Sequence, residues 1–259
     1  MDTYTLVRLD LLLVEQGHAA SRTAAQALID AGRVRLLRAE GAQPLSKASQ
    51  KLPRDSRFEI EADPADRFVS RGGLKLAGAL DQTRLDVTGL RCLDVGISTG
   101  GFTDCLLQAG AHRVVGVDVG HGQLHPRLAD EPRLHALEGI NARELPADLL
   151  LAANDGQPFD LAVADVSFIS LTLVLPAMAP LLRPGGRLLC LVKPQFEVGR
   201  DGIGRGGIVR DPARYPPVRQ KLETTASELG LIVEDWLDSP ICGGDGNREF
   251  FILLRQPES

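Results

Sequence analysis

The chain is poor in cysteine, in uninterrupted apolar sequence and in net positive charge, and each shortage narrows what it can be. Its four cysteines, Cys92, Cys105, Cys190 and Cys242, include no C-x-x-C pair and stand far apart, which argues against a disulfide framework and a structural zinc site. A reducing compartment suits them. The longest uncharged stretch, Val166 to Leu182, has 17 residues interrupted by Pro176 and Pro180, short of the roughly 20 apolar residues a spanning helix needs. The first residues, Met1, Asp2, Thr3 and Tyr4, lack the basic and apolar regions of a signal peptide. A cytoplasmic protein without membrane contact is expected. A formal net charge of −5 does not advertise a polyanion partner, so any nucleic-acid surface has to be local.

At 259 residues with 44% hydrophobic and 24% charged content, the chain is long enough for one or two globular domains. Charge is unevenly spread along it. Residues 8 to 58 carry nine basic against five acidic side chains, a net +4. Within them Leu9, Leu12 and Leu13, then Ala24, Ala25, Leu28 and Ile29, recur at helical spacing. Gly17 ends the first helix, Ser21 is placed to cap the second, Gly32 stops it, and Val34 to Leu37 reads as a strand. A small α+β domain is expected, bounded near residue 66 by the stretch Asp63, Pro64, Ala65, Asp66.

Beyond residue 66 apolar runs alternate with helical periodicity. Strands are expected at 92–96, 114–119, 134–137, 161–165, 188–192, 231–236 and 250–254, and continuous apolar runs of this kind suit strands buried on both faces. Seven strands with helices between them imply a doubly wound α/β sheet, and the turn at 243–247 implies a final antiparallel hairpin.

The first of these strands runs into Asp94-Val-Gly96-Ile-Ser98-Thr99-Gly100-Gly101-Phe102-Thr103, with a helix expected from about Thr103. A glycine-rich turn at the carboxyl end of a strand is where doubly wound sheets bind nucleotides. The spacing is not G-x-G-x-x-G, so a pyrophosphate site fails. Asp94 would repel a pyrophosphate but suits a cationic ligand such as S-adenosylmethionine. Asp118, with Val119 beside it, closes the second strand where an acid accepts hydrogen bonds from ribose hydroxyls, and Asn141 follows the third, a candidate for the adenine edge. Asp165 closes the fourth strand and Lys193 the fifth, so both face one cleft. A lysine at the mouth of a dry core is expected to have a depressed pKa, lowered further by a nearby cation. Lys75, on the helical segment 72–80, could supply that cation, and Glu249 could orient the amines.

Arg8-Leu-Asp, then Ser21-Arg22 with Ala25, Leu28, Ile29, Gly32 and Val34, resembles the S4 RNA-binding module, although Arg38 to Gln43 replace its usual Asn-Gly hairpin. The resemblance implies that Arg8, Arg22 and Arg33 meet RNA phosphates. Lys75, Asp165, Lys193 and Glu249 look like the Lys-Asp-Lys-Glu tetrad of FtsJ-class 2′-O-ribose methyltransferases. The strings Ser70-Arg71-Gly72-Gly73-x-Lys75-Leu76, Asp94 to Thr103, Asp118-Val-Gly-x-Gly-Gln123-Leu124, Ala164-Asp165-x-Ser167-Phe168-Ile169-Ser170 and Lys193-Pro-Gln-Phe-Glu197 resemble the TlyA family of hemolysin-like bacterial rRNA methyltransferases. The likeness spans nearly the whole chain.

What the resemblance implies is a Rossmann-like methyltransferase domain over 67–259 behind an S4-like domain over 1–66, moving a methyl group from S-adenosylmethionine to a cytidine 2′-hydroxyl of 16S or 23S rRNA. Gly96, Ser98, Gly100, Gly101, Phe102 and Thr103, with Asp94, Asp118, Val119 and Asn141, would hold the cofactor. Lys193 would accept the proton, Lys75 and Asp165 would orient the hydroxyl, and Glu249 would support the lysines. The partner expected is ribosomal RNA or a ribosomal subunit, not DNA. Two other activities compete: membrane lysis, as the hemolysin name suggests, and S-adenosylmethionine and RNA binding without turnover. Glu197 to Val209, with five glycines, Arg200 and Arg205, is either a basic loop closing over RNA or a plain connector. His121 and His125 stand four apart with no third ligand spaced nearby, so no metal is expected.

Overall fold

The computed structural model describes residues 6–19, 21–61, 64–199, 202–204 and 206–258. Asp63, Arg200 and Arg205 lie outside the described residues. The chain divides into two compact units, one running to Asp66 and the other starting at Arg67.

The front unit comprises β1 (Leu6–Arg8), α1 (Leu9–Glu15), α2 (Arg22–Asp30), β2 (Val34–Arg38), β3 (Gly41–Pro44), β4 (Lys51–Pro53) and β5 (Phe58–Ile60). Leu9, Leu12 and Leu13 of α1 meet Ala25 and Ile29 of α2 over Val34, Leu36 and Phe58 of the strands, all buried. That single apolar cluster is the core that lets so short a chain fold. Ser21 caps α2 by accepting a hydrogen bond from the Ala24 amide at 3.2 Å, satisfying one of the orphan donors of its first turn. A hairpin does form after β2 without an Asn-Gly turn, with Arg38 opposite Gly41.

The second unit contains α3 (Arg71–Thr83), β6 (Arg91–Val95), α4 (Gly101–Gln108), β7 (Arg113–Asp118), β8 (Leu134–Glu138), α5 (Ala147–Ala153), β9 (Phe159–Ala164), α6 (Leu175–Met178), β10 (Leu182–Val192), α7 (Tyr215–Glu228), β11 (Ile232–Asp238) and β12 (Phe250–Arg255). Its seven strands lie in the order β11-β12-β10-β9-β6-β7-β8. Pairs from β10 to β8 are parallel, while β12 is antiparallel to both β10 and β11. The chain therefore ends by inserting its last strand between two earlier ones. Alternation along each strand feeds two separate cores: Leu188, Cys190 and Val192 with Phe250, Ile252 and Leu254 on one face, Leu189 and Leu191 with Phe251 and Leu253 on the other. Burial on both faces explains why these strands read as unbroken apolar runs.

Several element bounds shift by one or two residues from the sequence expectation, as at β9 and β11, and the starts of β10 and α4 shift for a visible reason. Strand β10 begins at Leu182, six residues early, because Leu182 pairs with Phe159 across a register shift that accommodates Pro184-Gly185-Gly186. Helix α4 begins at Gly101 because Gly100, at φ 93°, turns the chain into the helix.

Candidate active site

The carboxyl ends of the parallel strands carry the loops that make the site. After β6 the chain reverses at Gly96 (φ 88°), where an added Cβ would sit 2.6 Å from the Asp165 carbonyl oxygen. At Gly100 it would strike the Leu128 side chain. Positive φ and close approach together require glycine at both places. Ser98, between them, is also left-handed at φ 46°, held there by its amide donating to Asp118 Oδ2 at 2.8 Å and its hydroxyl to Gln123 Oε1 at 3.0 Å.

Asp94 lies beneath this turn and does not line either cavity described below, unlike the ligand-facing acid expected from sequence. Strand alternation turns it toward α4, where Thr103 Oγ1 donates to its Oδ2 at 2.7 Å. Its Oδ1 is buried without a hydrogen-bond partner among the described residues. Burial, partly offset by the Thr103 hydrogen bond, pushes this carboxyl up to about 7.

A cavity of about 450 Å³ opens beside the turn, lined by Gly96, Ser98, Asp118, Val119, Asn141 and Phe168 among others. Each Asp118 oxygen accepts one backbone amide, from Ser98 and Gly120, both at 2.8 Å, and each keeps a lone pair for a ligand. Asn141 Oδ1 accepts from the Arg143 amide, leaving its NH2 for another acceptor. Phe168 stands at the rim, left-handed at φ 63°, 90% exposed, its ring 5.1 Å from that of Phe196.

A second cavity of about 320 Å³ shares Gly96, Ser98, Asp165 and Ser167 with the first, and adds Gly101, Phe102, Lys75 and Lys193. Gly100 and Thr103 support the turn without lining either cavity. Lys75 projects from α3 one turn before Ala79, at the edge of the buried face formed by Leu76, Ala79 and Leu80. It pairs with Glu249, immediately before β12, at 2.6 Å, and both are nearly buried. Lys193, one residue past β10, pairs with Asp165, one past β9, also at 2.6 Å, and its ammonium donates to Ser167 Oγ at 2.9 Å. Four side chains from positions 75 to 249, 174 residues apart at their widest, thus stand as two ion pairs around one hollow. Ser167 and Phe168 stood in the sequence only as part of the string Ala164-Asp165-x-Ser167-Phe168-Ile169-Ser170, without a role of their own.

In the front unit the three expected RNA-contacting arginines are all ion-paired. Asp10 is fully buried and accepts from Arg8 at 2.9 and 3.0 Å and from Arg22 at 3.0 Å; the Arg8 guanidinium holds its carboxyl well below the usual range. Arg33 donates to the Glu61 carbonyl at 2.8 Å and pairs with Asp66. Arg8 and Arg22 keep 39% and 55% of their side chains exposed. Lys51, exposed, lies directly opposite Arg8 across the β1–β4 ladder.

No group of three or more His, Cys, Asp or Glu among the described residues is placed to hold a metal. All four cysteines are free, Cys92, Cys105 and Cys190 buried, and burial pushes the Cys190 thiol up to about 12. No described helix is long and apolar enough to cross a membrane.

A Rossmann-like sheet with its last strand reversed, a glycine-rich turn over β6 and paired lysines and acids at the strand ends define a methyltransferase. The FtsJ-like methyltransferase model matches residues 68–256 and the S4 domain model residues 7–36. The chain belongs to the FtsJ-like methyltransferases, and among them to the TlyA family. It is 42% identical to the 16S/23S rRNA (cytidine-2′-O)-methyltransferase TlyA of Mycobacterium tuberculosis, over 96% of this chain and 89% of that protein. It is 36% identical to Hemolysin A of Brachyspira hyodysenteriae, over 94% of this chain and 98% of that protein. A solved structure described as a candidate hemolysin from Streptococcus thermophilus superposes with a TM-score of 0.73 at 39% identity, covering 98% of this chain and 90% of that one.

Proposed function

We propose that this protein transfers a methyl group from S-adenosylmethionine to a cytidine 2′-hydroxyl of ribosomal RNA, in the cytoplasm, with residues 1–66 docking RNA and 67–259 performing the chemistry. The observation that carries this is the Lys193–Asp165 pair, in which Asp165 stands in the wall common to two cavities and Lys193 faces the smaller one. The residues of the larger cavity fit the cofactor: Asp118 offers free lone pairs for ribose hydroxyls, Asn141 an amide for the adenine edge, and Gly96 lets backbone approach closely. When bound, S-adenosylmethionine supplies a methyl carbon already activated by its sulfonium.

The chain has to bring the 2′-oxygen in line with that carbon and take away its proton, because a ribose hydroxyl is a weak nucleophile near neutral pH. Lys193, once its ammonium has released a proton to solvent, is placed to accept the hydroxyl proton at Nζ, with Asp165 opposite to balance the ammonium re-formed. Ser167 fixes the Lys193 side chain by its hydroxyl. Lys75, anchored by Glu249, donates to the hydroxyl and fixes its direction. Phe168, exposed beside this centre, offers a face on which a base turned out of its stack can rest. On the front unit, the exposed edges of Arg8, Arg22 and Lys51 meet phosphates.

Radiolabelled methyl transfer to purified ribosomal subunits, with the resistant ribose then mapped, tests this. Label at one or two cytidine riboses is expected; cofactor binding without label on any ribosomal RNA form would overturn it.

A further inference from the structure

We propose that Glu197 is the positioning residue that keeps Lys193 on Asp165 and Ser167. The parallel ladder between β9 and β10 ends at Ala164 and Cys190. Past it each segment is held on its far side only, the Asp165 amide by the Val95 carbonyl at 3.0 Å and β10 by β12 as far as Val192 opposite Phe250, so no ladder bond joins the stretch carrying Asp165 and Ser167 to Lys193. Glu197, four residues beyond Lys193, replaces the ladder. Its carboxylate accepts from Ser170 Oγ at 2.6 Å and from the Leu171 amide at 2.7 Å, both on the segment that carries Asp165. The same carboxylate pairs with Lys221 of α7 at 3.0 Å.

The two segments are therefore closed twice, by Lys193 with Asp165 and Ser167 near the sheet and by Glu197 with Ser170 and Leu171 farther out. The Glu197 side chain is 1% exposed while Lys221 stays 43% exposed. A charge so buried persists only when hydrogen bonds and a counter-charge replace its water, and Glu197 has both, from two different parts of the chain. It lines neither cavity, so its influence on turnover has to pass through the segments it joins. A tie of this kind matters because displacements of an ångström at reacting groups are costly.

This rests on the proposed methyl transfer, and the test separates the two. In the full-length protein, kcat and KM for ribosomal RNA are measured for wild type, Glu197→Gln, Ser167→Ala and the double variant, alongside thermal melts. If Glu197 acts through Lys193 and Ser167, Glu197→Gln lowers kcat about tenfold and Ser167→Ala about fivefold, with KM within about twofold, and the double variant falls about tenfold instead of about fiftyfold. Effects that multiply, or a Glu197→Gln variant with wild-type kcat, would overturn the proposal. If Glu197→Gln does not fold, Lys221→Met decides from the solvent side: a roughly threefold loss in kcat that is non-additive with Ser167→Ala supports the role, and an unchanged kcat overturns it. A wild type that never labels RNA overturns the methyltransferase function itself; a labelling wild type with indifferent variants overturns only the role of Glu197.

Discussion

Lys193 and Lys75 face the same hollow but are held differently, Lys193 by Asp165 and a hydroxyl, Lys75 by the buried Glu249. Removing the proton acceptor should strike turnover and spare binding. Lys193→Ala is expected to lower kcat by about 10²-fold or more, with S-adenosylhomocysteine affinity, read by calorimetry, nearly unchanged; equal losses in both would place Lys193 in cofactor binding instead. Asp94 has a pH consequence with a definite sign. Its carboxyl rises from an ordinary 3.8 to about 7 in the fold, so between those values the folded chain holds a proton that the unfolded chain has released. Stability without ligand accordingly falls as pH rises from about 4 to about 7, by up to ~1.4 kcal/mol per unit, and levels off above. Asp94→Asn removes that slope. Urea melts of both proteins at pH 5, 6 and 7.5 should show wild type losing ground to the variant, and parallel curves would refute the assignment. Asp165 and Lys193 were legible as residue types at strand ends; which lysine meets which acid was not, because that depends on where α3 and β12 bring Lys75 and Glu249.

At the scale of elements, the glycine-rich turn is the most demanding piece of backbone. Gly96→Ala would put a Cβ against the Asp165 carbonyl at φ 88°. That strain is expected to cost ~2–3 kcal/mol, which at this chain length lowers Tm by roughly 4–10 °C. It should weaken nucleoside binding in parallel, as a melt and a titration would show, whereas a variant that melts like wild type would mean the turn can relax. Strand positions were legible because residues buried on both faces are apolar without interruption, as in Leu188 to Val192. The start of β10 was hidden, since Pro184-Gly185-Gly186 reads locally as a break and pairs only through contact with β9. The hairpin after β2 was hidden for the converse reason: Ala39 and Glu40 carry no turn signature, and pairing of Arg38 with Gly41 closes it anyway.

At the scale of the whole molecule, a chain of net charge −5 is proposed to dock the phosphates of a polyanion through its front unit. Lys51 is exposed on β4 opposite Arg8, whereas Arg8 cages the buried Asp10. Lys51→Ala should lower the slope of log Kd against log salt for RNA by about 0.7–0.9, one phosphate contact, while leaving the melt unaltered. Arg8→Ala should weaken binding and also destabilise the front unit, because a buried carboxylate loses a partner. A salt slope indifferent to Lys51 would move the RNA face elsewhere. By itself the sequence determined the layering, the two units and the kinds of group at the strand ends, since periodicity, turn chemistry and burial are properties of short windows of chain. Only the tertiary structure decided the pairing of Lys75 with Glu249 and the tie through Glu197. Those depend on distances between segments far apart in the chain, which no local pattern encodes.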